Sequence, residues 1–121
     1  MFEAEVDPSK NLITIRYSQM VSPEDSRLGA ERCEVLVTEL KPGFRLLGDL
    51  TGLESMDLGC LPHIRRTMDL LNKHGVALVV RVIPDPRKDI GLNILSLFHY
   101  DRRVRIVTCE TLAEAMRVLA G

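Results

Sequence analysis

Small, acidic and thiol-bearing residues crowd into one short segment, GDLTGLESMDLGCLPH, residues 48–63. Cys60 stands there at the start of a predicted helix, where the helix dipole and free amide groups favour a thiolate. One interpretation is therefore a thiol-dependent enzyme. A disulfide oxidoreductase needs a second cysteine at the fourth position of such a motif, and that position is His63. A small, semi-buried residue that fills the turn is the simpler interpretation of Cys60.

Asp49 follows an apolar run and invites comparison with the phosphorylated aspartate of receiver domains. That chemistry needs an acidic pair after the first strand, to hold magnesium, and a lysine after the last strand. The first hairpin offers only Asp7, and the last predicted strand, VRIVTC, offers no lysine. We therefore reject this interpretation.

Metal and nucleotide sites lack their usual patterns. His63, His74 and His99 are far apart in sequence, and none is paired with cysteines or carboxylates at a recurrent metal-ligand spacing. The glycines of the segment are spread too widely to match a nucleotide-binding fingerprint. The sequence therefore predicts no metal and no cofactor.

Composition is typical of an ordinary globular protein and excludes several functions. The 121 residues suit a single domain, 1–121. The chain has 16 basic and 17 acidic residues and a net charge of −1, whereas nucleic-acid binding needs a concentrated basic face. No apolar run approaches the ~20 residues that span a bilayer, and the N-terminus lacks a signal-peptide core. We therefore expect a cytoplasmic protein with no membrane span.

Hydrophobic periodicity predicts an α/β fold. A β-hairpin over residues 2–17 is followed by strands at 44–50, 76–83 and 104–109, and by helices at 22–40, 62–73, 90–100 and from 111 onward. This order predicts one mixed sheet of about five strands, largely parallel in its later part, with four helices packed on it. We expect 76–83 to be central. Leu28, Leu112 and Met116 are expected to lie on the inward faces of their helices.

Four stretches in this order make the whole chain resemble the STAS domains, the SpoIIAA-like family of anti-sigma-factor antagonists. They are the N-terminal hairpin, FRLLGDLTGLESMD, NKHGVALVVRV and VRIVTCETLAEAMRVL. The resemblance implies a SpoIIAA-like fold and a non-enzymatic regulator whose partner is a protein, such as a regulatory kinase or an anti-sigma-like protein.

The chain departs from this family at the phosphorylation switch. Switched members carry Ser or Thr immediately after a loop aspartate, which corresponds to Asp57 here. The next residue is Leu58, followed by Gly59, and leucine has no hydroxyl group to modify. Ser55 is a displaced alternative acceptor. The resemblance therefore implies a divergent member that is not controlled by phosphorylation at the usual position.

We expect the partner to dock on the loop and the start of the second helix. The candidate docking residues are Asp49, Ser55, Asp57, Leu58, Gly59, Cys60, His63 and Ile64. Their segment carries no complete catalytic constellation. The sequence therefore favours an interaction domain over an enzyme.

An alternative function arises from residues 90–100, IGLNILSLFHY, which are apolar on most of a helical circumference. Such a helix is buried, covers a pocket or meets a partner. A homodimer contact, or a cleft for a small apolar or anionic ligand, would use Arg87, Leu92, Phe98, Tyr100, Arg102 and Arg103. The arginines could hold an acidic group. The alternative is therefore a small-ligand carrier or sensor.

Overall fold

The computed structural model describes residues 1–85, 87 and 99–121. The described strands are β1 (Phe2–Asp7), β2 (Leu12–Tyr17), β3 (Gln19–Val21), β4 (Arg45–Asp49), β5 (Leu53–Met56), β6 (Leu78–Val82) and β7 (Arg105–Cys109). The described helices are α1 (Pro23–Leu36), α2 (Leu61–Lys73) and α3 (Leu112–Ala120), with 3-10 turns at Val37–Glu39 and Leu58–Cys60. The predicted helix 90–100 lies outside the described residues, apart from its last two positions. None of the described helices has the length and hydropathy needed to cross a membrane.

The main sheet has five strands in the order β1-β2-β4-β6-β7. β1 and β2 form an antiparallel hairpin, and each later pair is parallel. The prediction of a mixed α/β sheet with an N-terminal hairpin is therefore confirmed. The middle strand is β4. The run 76–83, which was expected to be central, forms β6, an interior strand between β4 and β7.

Each face of the main sheet carries its own apolar cluster. The larger cluster joins the sheet to α1 and α2 and includes Phe44, Leu53 and Leu71 at its centre. The smaller one joins β4, β6 and β7 to α3. The prediction of inward faces was wrong at three positions: Leu28, Leu112 and Met116 are 49%, 41% and 48% exposed. Their helices each pack on one side only, so the apolar stripe is narrower than the sequence indicates.

The helix starts follow from local hydrogen bonding. Ser22 caps α1 by accepting from the backbone N–H of Asp25, whose carboxylate accepts in return from the Ser22 N–H. Pro23 occupies the first helical position, where its missing N–H costs nothing. Thr111 caps α3 by accepting from the backbone N–H of Glu114. These caps confirm the predicted helix starts.

A second, two-stranded sheet was not expected from the sequence. β3 and β5 pair in parallel beside the main sheet, within stretches interpreted as connections. Only the first residue of β5 and the last of β3 are buried. Such short strands show no clear alternation of apolar and polar residues, so periodicity does not detect them.

Candidate functional site

Asp49 ends β4 in a closed hydrogen-bond network. Its carboxylate is buried, with Oδ2 accepting from Nε of Arg16 at 3.1 Å and Oδ1 from the backbone N–H of Thr51 at 2.9 Å. The Thr51 hydroxyl also donates to Oδ1. Burial raises the pKa of Asp49, but the hydrogen bonds from Thr51 and Arg16 outweigh burial and hold the pKa below its usual range. Asp49 is therefore an ionised carboxylate that organises the strand end.

The small β3–β5 sheet is attached to the main core by two buried side chains. Leu53 and Val21 are 2% and 3% exposed and join the main core. Gln19 opens β3 in the left-handed region, with φ of 59°, and its N–H donates to the Gly52 carbonyl at 2.7 Å. A non-glycine residue rarely adopts this conformation, which costs free energy. The turn directs β3 away from β2 and into pairing with β5.

Asp57 caps the 3-10 turn that leads into α2. Its Oδ1 accepts from the Gly59 N–H at 2.7 Å, while its own N–H donates to the Val21 carbonyl at 3.3 Å. A Cβ atom at Gly59 would lie 2.9 Å from Cγ of Pro23. Glycine at this position therefore allows the turn to lie against the first turn of α1.

Two large hydrophobic side chains are exposed on this part of the molecule. Met20 of β3 is 71% exposed and Leu58 of the 3-10 turn is 75% exposed. Between the two chain segments lies a shallow depression of about 340 Å³, lined by Met20, Val21, Ser22, Pro23, Ser55, Met56 and Asp57. We call Met20, Ser55, Asp57 and Leu58 the β3–β5 surface.

The predicted docking residues fall into two groups. Ser55, Asp57, Leu58 and Gly59 are exposed, and His63 is half-buried. The other three, Asp49, Cys60 and Ile64, are 5%, 0% and 4% exposed. Their side chains lie inside the fold.

Cys60 lies at the start of α2, as predicted, but in a buried position. Its Sγ donates to the Val21 carbonyl at 3.5 Å. Cys33 and Cys109 are also buried, and all three are free thiols. Burial raises the pKa of the Cys33 thiol to about 12. A thiol nucleophile must be accessible to its substrate, and Cys60 is 0% exposed.

An apolar cavity of about 50 Å³ lies between the main sheet and α2. It is lined by Ile15, Tyr17, Leu46, Gly48, Leu50, Ile64, Thr67, Met68, Leu71, Arg81 and Tyr100. Burial raises the pKa of Tyr100 to about 12, against the opposing charge and hydrogen bond of Arg81, itself 4% exposed. An engineered cavity of about 150 Å³ binds benzene, so the volume of about 50 Å³ leaves little room for an apolar ligand among the lining residues.

The arginines of the second predicted site are exposed and paired locally. Arg87 contacts Asp85 at 2.8 Å and Arg103 contacts Asp101 at 3.4 Å, while Arg102 is exposed. Tyr100 is buried. Leu92 and Phe98 lie outside the described residues, so the predicted cleft or homodimer contact stays a prediction. In the part of the chain that is described, no three metal-binding side chains cluster.

Met20, Arg16 and Thr51 were missed from the sequence. Met20 stands in a short stretch, SQMVSPED, where one apolar side chain amid polar residues carries no periodic signal. Arg16 and Thr51 reach Asp49 from a neighbouring strand and from the following turn. A threonine two residues after an aspartate is the one local signal, because such pairs form side-chain turns.

No family model matches the sequence, and no curated protein is significantly similar to it. Among solved structures, an uncharacterized SpoIIAA-like protein of the DUF3478 family from Shewanella loihica is similar at a TM-score of 0.70 and 13% identity, over 98% of this chain and 92% of that one. Unphosphorylated SpoIIAA, an anti-sigma factor antagonist, is similar at 0.67 and 14%, over 100% and 99%. An anti-sigma factor antagonist from Mycobacterium paratuberculosis is similar at 0.63 and 17%, over 100% and 94%. The chain therefore has the SpoIIAA-like fold, as predicted.

Proposed function

We propose that this chain is a non-enzymatic regulatory domain that docks a protein partner through the β3–β5 surface. The main observation is the exposure of Met20 and Leu58, at 71% and 75%. Met20 lines the depression, and Leu58 follows Asp57, which also lines it. Exposed apolar side chains rimmed by polar residues are typical of interaction sites. The SpoIIAA-like fold supports a regulatory role, because solved proteins with this fold include anti-sigma factor antagonists.

The docking role belongs to the exposed residues of the predicted loop. Ser55 and Asp57 line the depression, and Leu58 follows Asp57 as the first residue of the 3-10 turn. Asp49 and Ile64 support this surface from inside, since both are buried. An anti-sigma-like protein or a regulatory kinase is the kind of partner that the fold suggests.

The proposal includes docking that is not switched by phosphorylation after Asp57. Leu58 occupies that position and its 75% exposed side chain adds apolar contact area instead of a hydroxyl group. Ser55 is exposed on β5 and is the nearest hydroxyl. We expect protein purified from its own cells to show no phosphate on Ser55 by mass spectrometry.

Affinity capture from the source cells tests the proposal with a matched pair of double variants. Met20→Ser with Leu58→Ser removes both exposed apolar side chains of the β3–β5 surface. Leu112→Ser with Met116→Ser makes the same chemical change on α3, across the main sheet, where these residues are 41% and 48% exposed. We expect the first variant to lose its specific partner at least tenfold and the second to retain it, with unchanged circular dichroism in both. Retention of the partner by the first variant would contradict the proposal.

A further inference from the structure

We infer that the β3–β5 surface binds a protein segment in which an apolar side chain stands beside lysine or arginine. This inference rests on the proposed function and specifies its partner. It depends on the distribution of charge around Met20 and Leu58.

The side chains of the segments that build the surface include carboxylates but no lysine or arginine. The N-terminal ammonium of Met1 donates to the Met20 carbonyl at 3.0 Å and lies 3.8 Å from Asp25 Oδ2, which offsets its charge. Residues 17–26 and 46–64 contain no lysine or arginine, and their carboxylates are Glu24, Asp25, Asp49, Glu54 and Asp57. The whole chain, with 16 basic and 17 acidic residues, is nearly balanced. The excess of acidic side chains is therefore a property of these two segments and not of the whole sequence.

Three of these carboxylates are engaged within the fold. Glu24 forms an ion pair with Arg27, Asp25 closes the capping box of α1, and Asp49 binds Arg16. Their charges are offset by groups that the fold itself provides.

The other two are available to a partner. Glu54 and Asp57 are exposed, and neither forms an ion pair with any residue that the structure describes. Asp57 uses Oδ1 for the Gly59 N–H, and its Oδ2 makes no hydrogen bond within the described part of the chain. Asp57 lines the depression together with Met20 and precedes Leu58 in the chain, and Glu54 precedes Ser55 on β5. Carboxylates near exposed apolar side chains match a cationic, apolar segment.

The same charges disfavour other occupants. A second copy of the chain, docked through this surface about a twofold axis, would bring the carboxylates of both copies into one interface. Like charges juxtaposed at an interface cost free energy. Nucleic acid and anionic lipid surfaces would be repelled for the same reason. A protein segment with basic and apolar side chains can contact both the exposed apolar side chains and the carboxylates of this surface.

Selection from a displayed library of random dodecapeptides tests the inference. The wild-type chain is the bait at low salt, and clones that also bind the Met20→Ser, Leu58→Ser variant are removed. We expect the remaining clones to be enriched in lysine or arginine next to an apolar residue. Their synthetic peptides should bind more weakly when salt rises from about 50 to 300 mM, because screening weakens exposed charge pairs.

Neutral variants of the bait then identify the charges responsible. Glu54→Gln and Asp57→Asn remove one charge each, and asparagine preserves the cap because it caps helices as well as aspartate does. We expect each to weaken binding by about 2- to 5-fold, the usual range for one exposed charge pair. The Glu54→Lys, Asp57→Lys variant should select acidic clones instead.

The outcomes separate this inference from the proposed function. Surface-dependent clones without basic residues, or binding unchanged by both neutral variants, would overturn the inference and leave the docking proposal in place. A selection with no clone that depends on Met20 and Leu58 would count against both.

Discussion

The two halves of residues 48–63 differ in how they use similar residues. Asp49 and Thr51, in the first half, close a buried network with Arg16. Asp57 and Leu58, in the second half, lie exposed on a capped turn. Both halves combine an aspartate with small and apolar neighbours, yet the first supports the fold and the second is available for contact. The difference shows that the environment of a carboxylate, not its sequence pattern, decides whether it is structural or accessible.

The largest effect on stability is expected at Leu53, which lies between Thr51 and Asp57 in the sequence. Leu53 is 2% exposed and anchors β5 in the core, so Leu53→Ala should lower the free energy of unfolding by about 2–5 kcal/mol. The control is Leu58→Ala, which changes an exposed side chain and should cost less than about 0.5 kcal/mol. Urea denaturation measures both. An equal loss of unfolding free energy in both variants would contradict the distinction between the buried Leu53 and the exposed Leu58.

The next largest effect on stability is expected at Asp49, in the first half, and depends on pH. Asp49→Asn should lower the free energy of unfolding at pH 7 by about 1–3 kcal/mol, since it removes a buried charge that accepts hydrogen bonds. Because folding lowers the pKa of Asp49, its stabilisation is present above the unfolded value near 3.9 and is lost as pH falls through the folded value. The difference in free energy of unfolding between the wild type and Asp49→Asn should therefore decrease below about pH 4.

The source of this pH dependence can be checked directly. Arg16→Met removes the guanidinium, so the pKa of Asp49 should rise, as followed by NMR of the carboxyl carbon. Two results would contradict the network around Asp49. One is a difference in free energy of unfolding between wild type and Asp49→Asn that does not depend on pH, and the other is a pKa of Asp49 that is unchanged in Arg16→Met.

A smaller effect compares one glycine from each half, Gly48 and Gly59. A Cβ at Gly59 would lie 2.9 Å from Pro23 and 3.0 Å from Asp57 Oδ1, so Gly59→Ala should displace the cap and cost about 1–2 kcal/mol. At Gly48 the nearest atom would be 3.8 Å away, beside the apolar cavity, so Gly48→Ala should be tolerated. Thermal unfolding distinguishes them. Greater destabilisation by Gly48→Ala would reverse this expectation.

Much of the fold follows from strong local signals. The hairpin, the buried run around β6 and the caps at Ser22 and Thr111 each appear in the sequence as periodicity or capping residues, and the structure confirms them. β3 and β5 do not, because three- and four-residue strands are stabilised by pairing with each other and not by their own pattern. Pairing between distant short segments is a tertiary property.

The candidate site was predictable in location but only partly in composition. The segment 48–63 was singled out from its residue types, and the exposed Asp57 and Leu58 lie within it. The sequence could not show that Cys60 and Ile64 turn inward, since helix starts place neighbouring side chains on different sides. Met20 could not be found, because it comes from β3, across the small sheet.

The parallel pairing of β3 with β5 makes the β3–β5 surface a discontinuous epitope. Met20 lies opposite Ser55 only because α1 and β4 carry the chain between the two strands. A linear peptide copied from residues 17–26 or from 46–64 would contain only part of the surface and should not compete for the partner. Partner binding would then require the folded chain, so a chain in which β3 and β5 are unpaired would not bind the partner.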